Sequence, residues 1–270
     1  MLEVTPAVRE EIERGIRDEG FLSPWIERLI PQYGRPYQQW IDYARELNRV
    51  VQKVWYDNDE IIVGRGSLDP VSISGRLILP ALSAFQGAVI LAERGMLTES
   101  YTLTRGVYET GFWLGFLAKE PTKAKEALLG DERKSQISMA KLLKNDDLSA
   151  SDLALLDSRI AELSRGNVKL SIKDVAARSG FESWYRAYKR LSAEATHASL
   201  QSLHRHVNTD GSGGYIGHVF GPDIEGIGQA LETACDGAQL CAAAFRAAIG
   251  GTPQDDQLHS LFLRFKEMCR

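Results

Sequence analysis

The residues whose types and spacing could do chemistry concentrate near position 190, where the chain reads Arg190-Leu-Ser-Ala-Glu-Ala-Thr-His197. In an unbroken α-helix seven residues are almost two turns, so Arg190 and His197 fall on one face with Glu194 between them. Tyr188, Ser192 and Ser199 crowd the same stretch. An imidazole titrates near neutral pH and serves as general acid or base. A guanidinium stabilises phosphate charge. Together the two could cleave RNA without a metal. His197 would move the proton of the 2′-hydroxyl or of the leaving group, and Arg190 would stabilise the crowded phosphorus. The same residues also admit a plainer arrangement, an ion pair along the helix with a hydrogen-bonded imidazole.

Two further patterns bear on this cluster. Glu194-Ala-Thr-His197 is a Glu-x-x-His step, as found in carboxylate di-metal bundles. Such a site needs a second step and two more carboxylates. Only Glu109 offers itself, so neither a metal nor a cofactor is expected. Arg105-Gly-Val-Tyr-Glu109 sets a charged pair four residues apart among Leu103, Val107, Phe112 and Trp113. Charges in so apolar a helix require partners. Arg105 and Glu109 can pair with each other. They can also reach the other helix, Arg105 to Glu194 and Glu109 to His197 or Arg190. A buried structural network and a functional cleft both fit.

Other signals are weaker. Ile172 to Gly180 resembles the first helix and turn of a helix-turn-helix repressor, but the following Phe181-Glu-Ser-Trp-Tyr-Arg is too aromatic for a recognition helix, and a capped short helix fits as well. The Gly-rich run 208–222 lacks the Lys-Ser/Thr of a phosphate loop and reads as a connector. His204 and His206 with Arg205 extend a basic helix end. No Gly-x-Ser-x-Gly elbow is present.

The elements that must position these residues are helical almost throughout. The periodicity predicts helices over 6–18, 21–29 (ended by Pro31), 37–56, 75–94, 98–119, two polar helices within 122–166 with Ser149 or Ser151 as N-cap, and then 172–179, 182–207, 223–249 and 255–269. The stretch 61–75 reads as loop. Gly95 reads as a C-terminal helix cap. Leu79, Leu82, Phe85, Val89, Tyr101, Val107, Phe112, Trp113 and Phe116 make 75–94 and 98–119 an antiparallel pair at the core. No strand pair is expected. The fold class is all-α, a single-domain multi-helix bundle, with N-terminal helices over 1–60 packing on a core over 61–270.

Composition sets outer bounds. With 44% hydrophobic residues among 270, the chain can bury a sizeable core. A net charge of -4 argues against a general nucleic-acid coat, while leaving room for a local basic patch. The three cysteines, Cys235, Cys241 and Cys269, show no metal spacing. Cys235 and Cys241 lie in an apolar helix as small hydrophobes. The odd count points to a reducing compartment. The acidic start of the chain does not read as a signal peptide, and no uninterrupted apolar run of membrane-spanning length is seen. A cytoplasmic location and no membrane partner are expected.

Two segments, Glu93 to Glu109 and Tyr185 to Ser199, carry a paired pattern. It is Arg-x-x-x-Glu followed later by Tyr-x-x-x-Ser-x-x-x-x-His-x-Ser. This pattern resembles the bacterial family of unknown function DUF5677, over roughly residues 75–210. In outline the arrangement is also similar to HEPN domains, α-helical bundles that are often dimeric and in many cases metal-independent ribonucleases of toxin or antiviral defence systems. Their motif is an Arg, four to six intervening residues and then a His, and Arg190 with His197 meets its longest form. That resemblance implies a HEPN-like core of antiparallel helices, Arg190 and His197 as catalytic residues, RNA as substrate and a homodimer whose two site helices share a cleft. It departs at Leu191, where a polar residue is frequent. Arg105, Glu109, Tyr188, Ser192, Glu194 and Ser199 would form the supporting polar network. The alternative is a non-catalytic helical module that senses or tethers a protein partner through an exposed apolar patch.

Overall fold

Capping residues set many of the helix boundaries. In the computed structural model, which describes residues 6–164, 170–196, 200–203 and 206–270, helix α1 (Pro6–Glu19) leads to α2 (Pro24–Gly34). The Ser23 side chain accepts from the Trp25 amide at the start of α2. Pro31 does not end α2 but is carried inside it. The lost backbone bond is outweighed by burial of Ile26, Leu29 and Tyr33 on either side. Helix α3 (Gln38–Tyr56) follows, then α4 (Pro70–Glu93). The sequence pattern over 61–75 is that of a loop, yet α4 begins at Pro70. Asp69 accepts from the Val71 amide at 2.9 Å, and proline at the first helical position needs no donor. Gly95, at φ 72°, ends α4 as expected.

Helix α5 (Leu97–Lys119) runs into α6 (Pro121–Leu143) and α7 (Ala150–Leu163), the last capped by Ser149. Helix α8 (Ile172–Ser179) starts with a capping box between Ser171 and Asp174 and stops at Gly180, at φ 82°. The single helix expected over 182–207 is in fact divided. A 3₁₀ turn at Glu182–Trp184 precedes α9 (Tyr185–Leu191), a π-helical turn at Ser192–Thr196 follows it, and α10 (Leu200–Leu203) is short. The expectation of no strands also fails. Strands β1 (Val207–Thr209) and β2 (Tyr215–His218) form an antiparallel hairpin. Asp210 closes its turn, accepting from the Ser212 and Gly214 amides at 2.9 and 2.7 Å. Helices α11 (Ile227–Ile249) and α12 (Asp255–Met268) complete an all-α, multi-helix architecture with one small hairpin.

Helices α4, α5 and α11 form the centre. The antiparallel pair α4 and α5 is there, but α11 is the element that α5 packs against most extensively. Helix α11 offers Ala230, Ala234, Ala238 and Ala242, all buried, and α5 offers Gly111, while Gly115 of α5 makes room for Phe181 instead. Small side chains let the two backbones approach, and Val107, Phe112, Leu114, Phe245 and Phe85 fill the space around them. Trp40 and Tyr43 of α3 and Phe265 of α12 pack edge to edge beside this layer. The Tyr43 hydroxyl donates to the Leu261 carbonyl oxygen at 3.0 Å and fixes α12 to α3. Leu29, Tyr33 and Ile41 join Leu97, Ile227 and Leu231 in a separate cluster that seats the N-terminal helices. Leu79, expected in the core, is 41% exposed, because the buried stripe of α4 runs instead through Ile78, Ala81, Leu82, Phe85 and Ala88. By length and composition α4 would suffice to cross a membrane, unlike the sequence expectation; here its buried stripe meets α5 and α11.

A β-carbon at Gly111 would stand 2.9 Å from Leu240 Cγ and 3.4 Å from Cys241 Sγ. Overpacked helix contacts lose about 1–3 kcal/mol. Gly111→Val should lower unfolding free energy in urea by that amount.

Candidate functional site

The site is built where α9 lies across α5 and meets α11. Trp184, at the end of the 3₁₀ turn, and Tyr188 and Leu191 of α9 recur at helical spacing and turn inward; Tyr188 and Leu191 are buried. Two polar fastenings hold this face. The first comes from α5. Arg105 donates through Nη2 to the Tyr188 hydroxyl at 2.7 Å and through Nε to Ser192 Oγ at 3.0 Å. Its other neighbour is Glu109, at 3.4 Å, and the Tyr188 hydroxyl lies 3.3 Å from Glu109 Oε2 and donates to it. Ser192 in turn donates to the Tyr188 carbonyl oxygen. Arg105 and Glu109 are about a quarter and a third exposed, so water still screens their attraction. The hydrogen bonds specify the arrangement more than the Coulombic energy does.

The second fastening comes from α11. Asp236 accepts from the Trp184 indole at 3.2 Å and from the Tyr108 hydroxyl at 2.5 Å. Tyr108 is 1% exposed. Burial, then the nearby Asp236 charge, pushes its hydroxyl well above the ordinary tyrosine range. Asp236 was not singled out from the sequence. It lies in an Ala-rich helix, and the only local signal was a charge in an otherwise apolar run.

Arg190 is exposed on α9, between buried Tyr188 and Leu191 on its neighbouring turns. It stands close enough to act on two α5 hydroxyls. Burial lifts Tyr101 above its usual value, the Arg190 charge opposes that, and Glu194, Asp223 and Glu232 reinforce it. The network therefore brings together Arg105, Glu109, Tyr188 and Ser192 as the sequence anticipated. Arg105 reaches Tyr188 and Ser192, and Glu194 is not among its hydrogen-bond partners among the described residues. Glu194 lies in the π-helical turn instead. His197 and Ser199, expected to complete the cluster, lie outside the described residues, as does His204. His206 Nδ1 lies 3.1 Å from the Val219 carbonyl oxygen, on the hairpin side.

The π turn changes one premise. A shared face for Arg190 and His197 follows from seven residues of regular α-helix. Ser192–Thr196 fits one extra residue into its turn, which shifts the phase by about 100°. Helical spacing alone no longer dictates that shared face. The turn is supported from α5: the Thr102 hydroxyl, which can donate to its own Thr98 carbonyl, also reaches the Ala195 carbonyl oxygen at 3.0 Å. Among the described residues no group of three His, Cys, Asp or Glu side chains is placed to hold a metal ion. Cys235 and Cys241 are buried, and burial pushes both thiols up; Cys241 donates to the Val107 carbonyl oxygen at 3.0 Å.

Two outcomes follow from this geometry. Asp236→Ala would leave the buried Tyr108 hydroxyl without its carboxylate. It should cost about 1–3 kcal/mol in urea denaturation, with Tyr108→Phe in the same chain recovering part of the loss. Stability should also fall at alkaline pH. The folded-state values of Cys235, Cys241, Tyr43 and Tyr108 are all raised. The unfolded chain therefore releases these protons first. The associated stability is intact below about pH 8.5, where free thiols begin to ionise, and declines further past about pH 10 as the tyrosines follow. Urea midpoints measured from pH 7 to pH 11 would check this.

No curated protein matches the chain, and no solved structure matches it. One family model does, that of a family of unknown function, DUF5677, over residues 71–215. That span takes in α4, α5 and the whole α9 segment with its Arg105–Tyr188 fastening. The chain belongs to the DUF5677 family.

Proposed function

We propose that this protein is a metal-independent endoribonuclease of the HEPN-like kind, acting in a reducing, cytoplasmic setting within a bacterial toxin or defence system. The observation that carries the reading is the placement of Arg190. It is an exposed cation on a helix that is otherwise fastened down on both sides by half-buried hydrogen bonds. A guanidinium carried on so fixed a backbone has only its own side chain left to order when it meets a phosphate, and charge preorganised in this way lowers a barrier. In this reading His197 supplies the general acid or base. Arg105, Glu109, Tyr188 and Ser192 keep α9 in place, and the π turn sets the direction in which the chain continues toward His197. A homodimer would bring two such helices to one cleft.

A second reading has its own observation. The hairpin and the segment after it expose Tyr215, Ile216 and Phe220, each near two-thirds. Large apolar side chains exposed on one short stretch of chain suit docking of a protein partner. The closed set of bonds around Arg105 would then serve the fold alone, in a non-catalytic module.

RNA cleavage separates the two. Purified wild type should cut a structured RNA in the presence of a chelator. His197→Ala and Arg190→Ala should each lose about 100-fold or more in rate, as removal of a general acid–base group or of a transition-state donor does, while melting at the wild-type temperature. Equal cleavage by wild type and both variants, or none by any with unchanged growth on expression, would favour the module.

A further inference from the structure

Helix α9 has an inner and an outer face, and the outer one is basic. Trp184, Tyr188 and Leu191 face inward, whereas Arg186, Lys189 and Arg190, spaced three and four apart, are exposed. Elsewhere on the surface many arginines and lysines are neutralised. Arg45 meets Glu93, Arg94 meets Glu27, Lys144 meets Asp157, Arg246 meets Asp255 and Arg264 meets Glu46. Among the described residues Arg186, Lys189 and Arg190 form no such ion pair. The surrounding stretch, 170–206, holds six Lys or Arg against three Asp or Glu, in a chain of net charge -4. Local positive charge on an acidic protein creates a field that gathers a polyanion at one place.

We propose that the outer face of α9 is a binding surface for the sugar–phosphate backbone of a single RNA strand, with Arg186 and Lys189 contacting phosphates next to the one that Arg190 meets. This rests on the ribonuclease reading for its substrate but on separate residues for its binding. From Arg186 to Arg190 the helix rises only about 6 Å. That span suits neighbouring phosphates of one strand rather than both strands of a duplex. The cations carry no base-reading groups beside them, so binding is insensitive to sequence and dependent on salt. The rigidity of the surface comes from below, through the Tyr188 and Trp184 hydrogen bonds.

The test uses the full chain and a fluorescent, fully 2′-O-methylated single strand of about 12 nucleotides, which has no nucleophile and cannot be cut; anisotropy is followed from about 50 to 200 mM salt. Arg186→Ala with Lys189→Ala should weaken binding about 10-fold or more at low salt and flatten the log–log salt slope by about 1.4, roughly 0.7 for each lost phosphate contact. Lys134→Ala with Lys141→Ala, exposed cations on α6, should bind as wild type. Glutamine at both α9 positions repeats the test if the alanine variant loses helicity by circular dichroism. Unchanged affinity and slope in the α9 variants, an equal loss in the α6 control, or no binding by wild type would overturn the proposal. Tighter binding of a duplex of the same length would overturn the single-strand assignment. Stripe-dependent binding of the methylated strand, alongside a wild type that leaves ordinary RNA intact, would sink the cleavage reading and leave this surface standing.

Discussion

Much of this structure depends on one guanidinium. Arg105 projects from α5 and divides its donors between Tyr188 and Ser192 of the crossing segment, with Glu109 one turn away to balance its charge. Because a guanidinium is planar and presents its donors in a fixed fork, it can satisfy several partners only in one relative placement of the two helices. That geometric demand sets how α9 lies on α5. It also sets where the exposed cations of α9 point and where the chain enters its π turn. A lysine would keep the charge and lose this constraint. The Coulombic pairing itself contributes little, since both charges remain partly in water.

The demand can be met only because the layer beneath is closely packed. Helix α11 approaches α5 through alanines and through glycines at 111 and 237, and the Gly237 position leaves room for the Tyr108 ring. That approach carries Asp236 to within reach of both Tyr108 and Trp184. The small residues of α11 thus have a consequence beyond packing density. They bring a carboxylate from a helix distant in sequence to the start of α9. Without it, the buried Tyr108 phenol would keep only its longer contact to the Thr233 carbonyl oxygen and the Trp184 indole would lose its partner, at a cost of about one hydrogen bond each.

On this base α9 is short and sharply two-sided. Its inner residues are held by hydrogen bonds and aromatic contacts, with Tyr188 against Phe112 at 6.0 Å and stacked on Tyr185 at 5.7 Å. Its outer residues are long, charged and free to meet an anion. A backbone already fixed by folding leaves only these side chains to be ordered when an anion binds.

The sequence by itself determined the helical class, because periodic apolar positions are a local property that each segment displays independently. Caps were equally legible at Ser149 and Gly95, where the signal is local to the helix end, whereas the Ser171 cap emerged only in the structure. Asp69 and Pro70 carried the same signal, overlooked among neighbouring glycines. The Arg105–Glu109 and Tyr188–Ser192 groupings could be found because each is written within one helical turn. What only the tertiary structure decided is how these groups combine. Arg105 turns to Tyr188 and Ser192 rather than Glu194, Asp236 joins from α11, and the segment after Leu191 leaves the α register at a π turn steadied by Thr102 of α5. It also decided that 207–218 forms a hairpin, closed by Asp210, where composition suggested a plain loop. The physical reason is common to all of them. Hydrogen-bond partners and backbone register at these points are chosen by groups distant along the chain, and a local pattern carries no record of which distant group arrives.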